Sequence, residues 1–374
     1  MLVFLLHYFG PALERLEFFS AGDSRVFLTA RIALASLSGF LLALLLGPLA
    51  IHWLKRHARE RIASGSERLD EMHQHKQSTP TMGGIFILGA VLVATLMWGD
   101  LSSLYVLSGL AITIMFGVIG GIDDWVKLST QTKGLTARQK FGLQCIAGLL
   151  IVALLYWQLG QLAPSETFSG NYTDLFLPWR DARIALGWLF LPWALFVLVG
   201  SSNAVNLTDG LDGLAGGCMV FAGTAFVALT YLAGHRVMAG YLHVPYVPGS
   251  GELGVVMGAT VGAVLGFLWF NCHPAEVFMG DTGSLPLGGL IGYAGLVTRQ
   301  ECLLVIVGGI FVIETVSVMA QVFWFRRTGR RILACSPLHN HYLFRGYHEM
   351  KIVVRFWITA ALLTIIALAS LKLR

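Results

Sequence analysis

Long apolar segments, separated by shorter polar ones, run along most of the chain. Ten of them approach or exceed the ~20 residues that an α-helix needs to cross a bilayer. The first runs from about Val26 to Ile51, and the others centre on Ile87, Ile112, Ile151, Phe196, Ala225, Ala263, Leu290, Phe311 and Leu362. The eighth is short, because Pro286 and paired glycines interrupt it. The pattern predicts an all-α integral membrane protein of about ten transmembrane helices, with residues 1–374 forming a single polytopic domain.

Two segments depart from this pattern. Residues 1–23 lack the basic start and the small-residue cleavage site of a signal peptide, and Pro11 ends their apolar run before it could span. An interfacial helix is predicted there. Residues 235–252 are polar and rich in Gly and Pro, and we assign them to a periplasmic segment without chemistry.

Composition agrees with a membrane protein. Of 374 residues, 56% are hydrophobic and 13% are charged, with a mean hydropathy of +0.70, which leaves too little charge to cover a soluble surface. Basic loops are enough to explain the net charge of +5, so nucleic-acid binding is not indicated. The five cysteines lack CxxC spacing, so neither a zinc site nor a redox pair is predicted.

Lys and Arg are concentrated in the loops after the first, third and ninth apolar segments. These loops contain Lys55, Arg56, Arg59, Arg61, Arg68 and Lys76; Lys127, Lys133, Arg138 and Lys140; and Arg326, Arg327, Arg330, Arg331, Arg345 and Lys351. Cytoplasmic loops are enriched in basic residues, so this side is predicted to be cytoplasmic. An even number of spans then places both termini in the periplasm.

Five polar clusters fall in loops on that same side. They are residues 79–84, 123–124, 203–212, 271–284 and 339–341. The loops after the fifth and seventh spans contain Asp209, Asp212, Glu276 and Asp281 but no Lys or Arg. We therefore predict one composite active site on the cytoplasmic face, in which acidic loops hold a metal ion and basic loops bind phosphate.

Aspartates in these clusters suggest which metal would bind. They are Asp123, Asp124, Asp209, Asp212 and Asp281. Each could be a helix cap or mark a membrane boundary, but together they exceed what capping explains. Ligands that are all oxygen, without cysteine, favour a hard cation such as Mg²⁺. Mg²⁺ usually takes one or two protein carboxylates, so only some of the five are expected to be direct ligands.

Basic residues near the clusters are candidates for phosphate binding. Lys76 precedes the TPTMGG segment (79–84), whose hydroxyls and backbone N–H groups at a helix start could bind an anion. Lys127, Lys133 and Arg138 either bind phosphate or simply follow the positive-inside rule.

The last cluster and the ninth span add further candidates. His339 and His341 stand two residues apart and would not share a helix face, so we interpret them as a loop that binds an anion or a leaving group. Glu314 and Gln321, seven residues apart, share one face of the predicted helix. An intramembrane Glu is a functional candidate, with a packing hydrogen bond as the alternative.

Five motifs together resemble one enzyme family. TPTMGG (79–84), GGIDD (120–124), NAVNLTDGLDGLA (203–215), FMGDTGS (278–284) and SPLHNHY (336–342) are similar, in order and spacing, to the phospho-N-acetylmuramoyl-pentapeptide transferases. The resemblance covers essentially the whole chain. It implies transfer of phospho-MurNAc-pentapeptide from UDP-MurNAc-pentapeptide to undecaprenyl phosphate, giving lipid I and UMP, with Mg²⁺. It also implies a multi-pass location among the lipids of the bacterial cytoplasmic membrane, with a homodimer as one compatible assembly.

The resemblance also assigns roles to residues by position. Asp281 matches the metal-binding aspartate, with Asn206 and Asp209 as alternative ligands. Asp123 and Asp124 match a pair that activates or positions the lipid phosphate, and His339 and His341 are further catalytic candidates. Substrate contacts are expected at Lys76, Thr81, Lys133, Asn206, Asp209, Asp212, Gly280, Ser284 and Gln321.

One position departs from the family pattern. Where the family has three consecutive histidines, this chain has Asn340 in the middle, and Leu343 stands where an acid is common. Asn keeps hydrogen-bonding capacity but carries neither a transferable proton nor a positive charge. The middle position is therefore expected either to act by position alone or to change the rate in this protein.

Two alternative functions stay open. One is a polyprenyl-phosphate N-acetylglucosamine-1-phosphate transferase, which would share the fold and the metal. The more remote one is an ion-coupled transporter, which would place acids at mid-membrane on broken helices. In this chain the acids lie at predicted cytoplasmic ends, with Glu314 as the main exception.

For the transferase, we expect the lipid phosphate to attack the sugar-linked phosphorus. A phosphate monoester has a second pKa of about 6, so it is already mostly deprotonated at neutral pH. Asp123 is therefore expected to orient the nucleophile more than to remove its proton, and a covalent aspartyl-phosphate route stays open.

Overall fold

The computed structural model describes residues 27–58, 79–130, 134–162, 171–177 and 182–372, and helices account for nearly all of its regular structure. The helices are α1 (Leu28–His57), α2 (Gly84–Trp98), α3 (Leu104–Ser129), α4 (Ala137–Gly160), α5 (Phe190–Thr208), α6 (Leu214–Gly234), α7 (Arg236–Leu242), α8 (Leu253–Asn271), α9 (Asp281–Val297), α10 (Glu301–Val307), α11 (Gly309–Thr328), α12 (Leu338–Phe344) and α13 (Glu349–Ser370). The predicted interfacial helix (1–23), Lys76 and Lys133 lie outside the described residues.

Eight of the described helices are long and apolar enough to cross a membrane: α1, α3, α4, α5, α6, α8, α11 and α13. The protein is therefore all-helical and membrane-integral, as predicted. Helices also occupy the second and eighth predicted spans, but α2 has 15 residues and α9 has 17. The ninth predicted span is two helices, because the chain turns at Gly308 between α10 and α11. Ten crossings and the orientation of the termini stay predictions.

Helix α9 is buried along its whole length. It packs against α3 and α5, and its glycines allow a close approach. A Cβ at Gly288, for example, would collide with the backbone of Ser201 and Ser202 in α5. Small residues at such crossings increase dispersion contacts between helices, which matter more in a membrane because apolar burial from water contributes little there. The Gly-rich sequence of α9 thus places its first residue, Asp281, deep inside the bundle.

The two ends of the bundle differ. The hairpin end contains β1 (Leu175–Leu177) paired antiparallel with β2 (Ala182–Ile184), together with the short helix α7 of the predicted periplasmic segment. At the site end, the last turns of α3 and α5 meet the first residues of α9, and the loop after α5 meets the start of α13. The polar clusters of the sequence lie at this second end.

Candidate active site

The start of α9 is held by a carboxylate from another helix. Asp124, in the penultimate turn of α3, accepts hydrogen bonds from the backbone N–H groups of Asp281 (3.2 Å) and Thr282 (2.9 Å) and from the Thr282 hydroxyl (2.7 Å). A carboxylate at a helix N-terminus satisfies unpaired N–H groups and interacts favourably with the helix dipole. Asp124 is therefore a cap supplied from outside the helix, which fixes α3 against α9.

Gly280 makes this contact possible for two reasons. Its φ of 71° lies in the region that side chains disfavour, and a Cβ there would lie 2.6 Å from Asp124 Oδ2. Thr81 Oγ1 would be 3.0 Å from the same Cβ, so Gly280 lies between the predicted nucleotide-pocket residue Thr81 and the acids. A glycine is the residue that fits this position.

Three aspartates form the centre of the site. Ligand oxygens of Asp123, Asp124 and Asp281 all lie within 4.8 Å of one another, and the residues are only 2%, 1% and 8% exposed. Lys127 Nζ reaches all three, at 2.8, 3.4 and 3.1 Å respectively. Lys140 Nζ forms an ion pair with Asp281 and lies 3.9 Å from Asp123. Two ammonium groups thus offset the repulsion between three buried carboxylates.

The sequence analysis did not predict that these two lysines pair with the aspartates. Lys127 follows Asp123 by four residues in the last turns of α3, a spacing that places both side chains on one helix face and could have identified the pair. Lys140 is 141 residues from Asp281, and no local pattern connects them.

The α5 terminus supplies the other side of Asp281. Asn206 Nδ2 donates to Asp281 Oδ1 at 2.6 Å and to Ser284 Oγ at 2.9 Å, and the Ser284 hydroxyl donates to the Gly280 carbonyl at 3.0 Å. One oxygen of Asp281 is therefore held by an amide and the other by ammonium groups. Asn206, Gly280, Asp281 and Ser284, all predicted site residues, lie together.

Asp209 and Asp212 are only three positions apart, yet they lie in different surroundings. Asp209 stays near the acid cluster: burial, together with the negative charges of Asp281 and Asp124, raises its pKa to about 7. Asp212 instead accepts hydrogen bonds from His273 Nδ1 (3.0 Å) and Ala275 N (3.2 Å). The structure thus places Asp212 in a neighbouring cluster with His273 and Glu349, and not beside Asp281. The predicted contact of Asp212 with substrate stays a prediction.

The His339–His341 segment is helical, which corrects the loop that we predicted there. Both histidines lie in α12. His339 contacts Glu314 of α11 through its backbone N–H (3.1 Å) and its Nδ1 (3.2 Å), while His341 Nδ1 accepts from Ala334 N at 3.0 Å. Burial, and secondarily Arg345, lowers the pKa of His341. The ring of His339 lies against Gly210, where any Cβ would collide with it.

Gln321 shapes the chain that leads into α12. Its Oε1 accepts from the backbone N–H groups of Ile332 and Leu333, both at 3.0 Å, and its Nε2 donates to the Leu333 carbonyl at 3.2 Å. In the described structure its side chain therefore binds backbone. The predicted role of Gln321 near the nucleotide stays a prediction, and in the structure its side chain positions the segment that leads into α12.

The TPTMGG segment joins the site through its backbone. Phe278 N donates to the Pro80 carbonyl, Gly83 N to Phe278, and Gly84 N to Met279, each at 2.8 Å. Thus all five polar clusters are linked by direct contacts at one end of the bundle. The assembly presents acids, ammonium groups and amides around one region, which suits the binding and transfer of phosphate groups.

Comparison with known proteins agrees with this arrangement. A family model described as glycosyl transferase family 4 matches residues 106–299, and phospho-N-acetylmuramoyl-pentapeptide-transferase signature 1 matches residues 76–88. The phospho-N-acetylmuramoyl-pentapeptide-transferase of Desulfotalea psychrophila is 46% identical over 350 residues, which are 93% of this chain and 94% of that protein. The phospho-N-acetylmuramoyl-pentapeptide-transferase of Desulforapulum autotrophicum is 43% identical over 373 residues, which are 99% of this chain and 100% of that protein. The chain belongs to the phospho-N-acetylmuramoyl-pentapeptide-transferase family.

The family signature has a structural explanation in this chain. It covers residues 76–88, and the described part of that range includes the backbone that docks on 278–279. A Cβ at Gly84 would collide with Gly283 at the start of α9. Glycine at this position thus allows α2 to approach the helix that begins with Asp281.

Asn340, where the sequence resemblance leads us to expect a histidine, is buried. Its Oδ1 has no hydrogen-bond partner among the residues that the structure describes. The neighbouring His339 and His341 are both held by protein groups. The side chain at the middle position therefore has a buried acceptor that the described chain does not use.

Proposed function

We propose that the protein transfers phospho-MurNAc-pentapeptide from UDP-MurNAc-pentapeptide to undecaprenyl phosphate, forming lipid I and UMP. The observation that carries this proposal is the similarity of nearly the whole chain to relatives named for the reaction, at 43–46% identity. The acid cluster at the ends of apolar helices supports it, because the reaction joins a water-soluble donor to a lipid acceptor. The bacterial cytoplasmic membrane is the compartment that this chemistry requires.

In the proposed reaction, an oxygen of the lipid phosphate attacks the sugar-linked phosphorus, and the bond to UMP breaks. Lys127 and Lys140 are 22% and 16% exposed at their side chains, so incoming phosphate oxygens can reach their ammonium groups. Asp123 is held by Leu135 N (2.8 Å) as well as by Lys127, which suits a group that orients the nucleophile. Such transfers depend mainly on positioning and charge stabilisation.

The donor set fits Mg²⁺. Three carboxylates lie within 4.8 Å, and hard oxygen donors are what Mg²⁺ prefers. Asp281 would hold the ion, supported by Asn206, with Asp209 as an alternative ligand. Bound there, Mg²⁺ would offset charge on the diphosphate. Because lysines already balance the acids, we expect the ion to bind together with the phosphate groups of the donor.

The proposed topology has ten crossings, a cytoplasmic site and periplasmic termini. Basic residues in the last turns of α1 and α11, namely Lys55, Arg56, Arg326 and Arg327, support it. Thr81 N donates to the Ala58 carbonyl just after α1, so the basic end of α1 lies at the site end. This is the side that the positive-inside rule assigns to the cytoplasm.

A groove beside the site offers a path for the lipid acceptor. It has a volume of about 330 Å³ and is lined almost entirely by apolar surface from α11 and the 332–338 segment. Leu338, at one edge of the groove, directly precedes His339. We propose that the first isoprenyl units of undecaprenyl phosphate lie here, which would bring the phosphate toward the acid cluster.

A transfer assay with two labelled donors tests the function. Purified protein in detergent, with undecaprenyl phosphate and Mg²⁺, should form a labelled lipid and release UMP from UDP-MurNAc-pentapeptide but not from UDP-N-acetylglucosamine. A faster reaction with UDP-N-acetylglucosamine would favour the simpler sugar-phosphate transferase. Substrate uptake into vesicles without UMP release would favour the transporter.

A further inference from the structure

Glu314 is a fully buried carboxylate that the proposed reaction does not use directly. We infer that it is a positioning residue for His339: it fixes the orientation and tautomer of the imidazole, so that Nε2 faces a phosphate oxygen of the nucleotide-linked donor. This inference rests on the proposed function, because the donor supplies the phosphate. It explains why an acid occurs within α11, away from the helix ends that carry the other acids.

The contact between the two residues is made at two points. Glu314 Oε1 accepts from the His339 backbone N–H at 3.1 Å, and Oε2 lies 3.2 Å from Nδ1 of the same residue. Glu314 is 0% and His339 1% exposed. Among the described residues, the His339 ring is the basic side chain within 4.0 Å of the Glu314 carboxylate. One carboxylate thus fixes both the start of α12 and the plane of the imidazole.

The contact with Glu314 determines which ring nitrogen of His339 points away from Glu314. In the inferred arrangement Glu314 is the acceptor, which requires the proton of this contact to be on Nδ1 and leaves Nε2 for the phosphate. A carboxylate behind a histidine orients the ring and stabilises the form that donates through both nitrogens. A donor of that kind makes charge-assisted hydrogen bonds to phosphate.

The position of Nε2 connects it to the acid cluster. The ring nitrogen lies against Gly210, which is exposed and has no side chain to cover it. Four residues earlier, Asn206 donates to Asp281 at 2.6 Å. The 206–210 segment therefore contacts both His339 and the acid cluster, and through this segment we infer that Nε2 reaches phosphate groups bound beside Asp281.

The two residues that follow His339 in the motif, Asn340 and His341, do not supply a positive charge. Asn340 carries no charge. His341 uses Nδ1 to accept from Ala334 N, which leaves Nδ1 without a proton and the ring neutral. Within α12, His339 is thus the histidine that a carboxylate supports.

A double-mutant cycle tests the inference. Turnover per folded protein is measured by UMP release for the wild type, Glu314→Gln, His339→Asn and the double variant, with Thr315→Val as the control on α11. We expect Glu314→Gln to lower turnover by about 10- to 100-fold, the effect of one charge-assisted hydrogen bond. Thr315→Val, which removes only a hydroxyl that bonds the Phe311 carbonyl, should stay within about twofold.

Residues that act through one another have non-additive effects, so the double variant should lose no more than His339→Asn alone. A Glu314→Gln protein within twofold of the wild type would overturn the inference. So would an equal fold loss in the wild-type and His339→Asn backgrounds, because Glu314 would then act independently of the ring.

A spectroscopic measurement separates this inference from the proposed function. In ¹⁵N-histidine NMR spectra of the whole protein, the His339 signal is identified by its absence in His339→Asn. A proton on Nδ1 in the wild type, lost or redistributed in Glu314→Gln, supports the inference whether or not lipid I is formed. A wild-type ring protonated on Nε2 alone overturns it, while absent transfer with the expected tautomer refutes only the proposed function.

Discussion

The bundle buries charged side chains at both ends, in two different ways. At the hairpin end the buried charges include two arginine–glutamate pairs: Arg31 with Glu252 at 2.5 Å and Arg299 with Glu301 at 2.8 Å. Both arginines are almost completely enclosed, at 2% and 0% exposure. At the site end, three aspartates share Lys127 and Lys140, and both lysine side chains remain partly exposed.

This difference separates a structural charge from one available for chemistry. In an enclosed pair each charge is offset by the other, and breaking the pair leaves a buried charge without compensation. Shared lysines that still reach solvent can exchange a carboxylate contact for a phosphate contact. Burial of charge within an apolar helix bundle is therefore a weak sign of an active site by itself; shared partners and residual access are the stronger signs.

The largest effect on activity is expected at Asp281. Asp281→Asn removes the carboxylate that contacts Lys127, Lys140 and Asn206, and turnover should fall by at least about 100-fold. The protein should still reach the membrane and elute as a folded species. UMP release and detergent size-exclusion chromatography measure the two properties; turnover with unchanged Mg²⁺ dependence would contradict the metal assignment.

At the hairpin end, we expect a substitution to lower the stability of the fold without lowering turnover. Arg31→Met leaves Glu252 buried without its partner and should destabilise the fold by about 3–5 kcal/mol. Adding Glu252→Gln should recover most of that loss, because the uncompensated charge disappears. Thermal unfolding in detergent measures both variants, and turnover per folded molecule should be unchanged. A large loss of turnover in the folded double variant would remove the contrast between the two ends.

Lys140→Met should lower turnover more than stability, which is the reverse of the effect expected for Arg31→Met. We expect turnover to fall by about 10-fold or more, because one charge-assisted phosphate contact is lost. Thermal stability should fall less than in Arg31→Met, since Lys127 still contacts all three aspartates. The same two measurements apply; a variant that loses stability but keeps its turnover would place Lys140 in the structural class.

Asp123→Asn distinguishes orientation from base catalysis. The lipid phosphate monoester has a second pKa of about 6, so at pH 6 about half of it carries a proton, and at pH 8 almost none does. Because Asp123 is expected mainly to orient the nucleophile, which is needed in either protonation state, the loss relative to wild type should stay nearly constant from pH 6 to 8. Initial rates at saturating substrate across that range test this, and a loss that is clearly larger at pH 6 than at pH 8 would instead indicate that Asp123 removes the phosphate proton.

The smallest effect is expected at Asn340. Asn340→His restores the residue that the family pattern has, and the buried Oδ1 has no partner among the described residues to lose. Turnover should change by about threefold or less, within the usual range of substitutions that break no existing contact. A gain of 10-fold or more would instead show that a histidine here takes part in the chemistry.

Much of the fold was predictable because its signals are local. Apolar stretches predicted each long helix, since a bilayer requires backbone groups to be satisfied within the segment. The turn at Gly308 and the helical form of His339–His341 were missed, because short helices carry too few residues for a clear period. The acids themselves were found from composition, as carboxylates without basic neighbours.

Side-chain partners were not predictable in the same way. Asp209 and Asp212 stand in one short motif, yet one lies near the acid cluster and the other bonds to His273. Their sequence context is nearly identical, so only the path of the chain after α5 separates them. Glu314 could be marked as unusual from its position in a helix, but not matched to His339, 25 residues away.

The sequence by itself therefore determined the class of protein, the helices and the candidate chemistry, because hydropathy and residue type act over a few turns. Only the tertiary structure decided which charges share partners, because that depends on where helices cross. Glycines at 84, 280 and 288 let α9 approach α2, α3 and α5 closely. This approach brings Asp281 to Asp123, Asp124 and Lys140, and no periodicity within one helix contains that information.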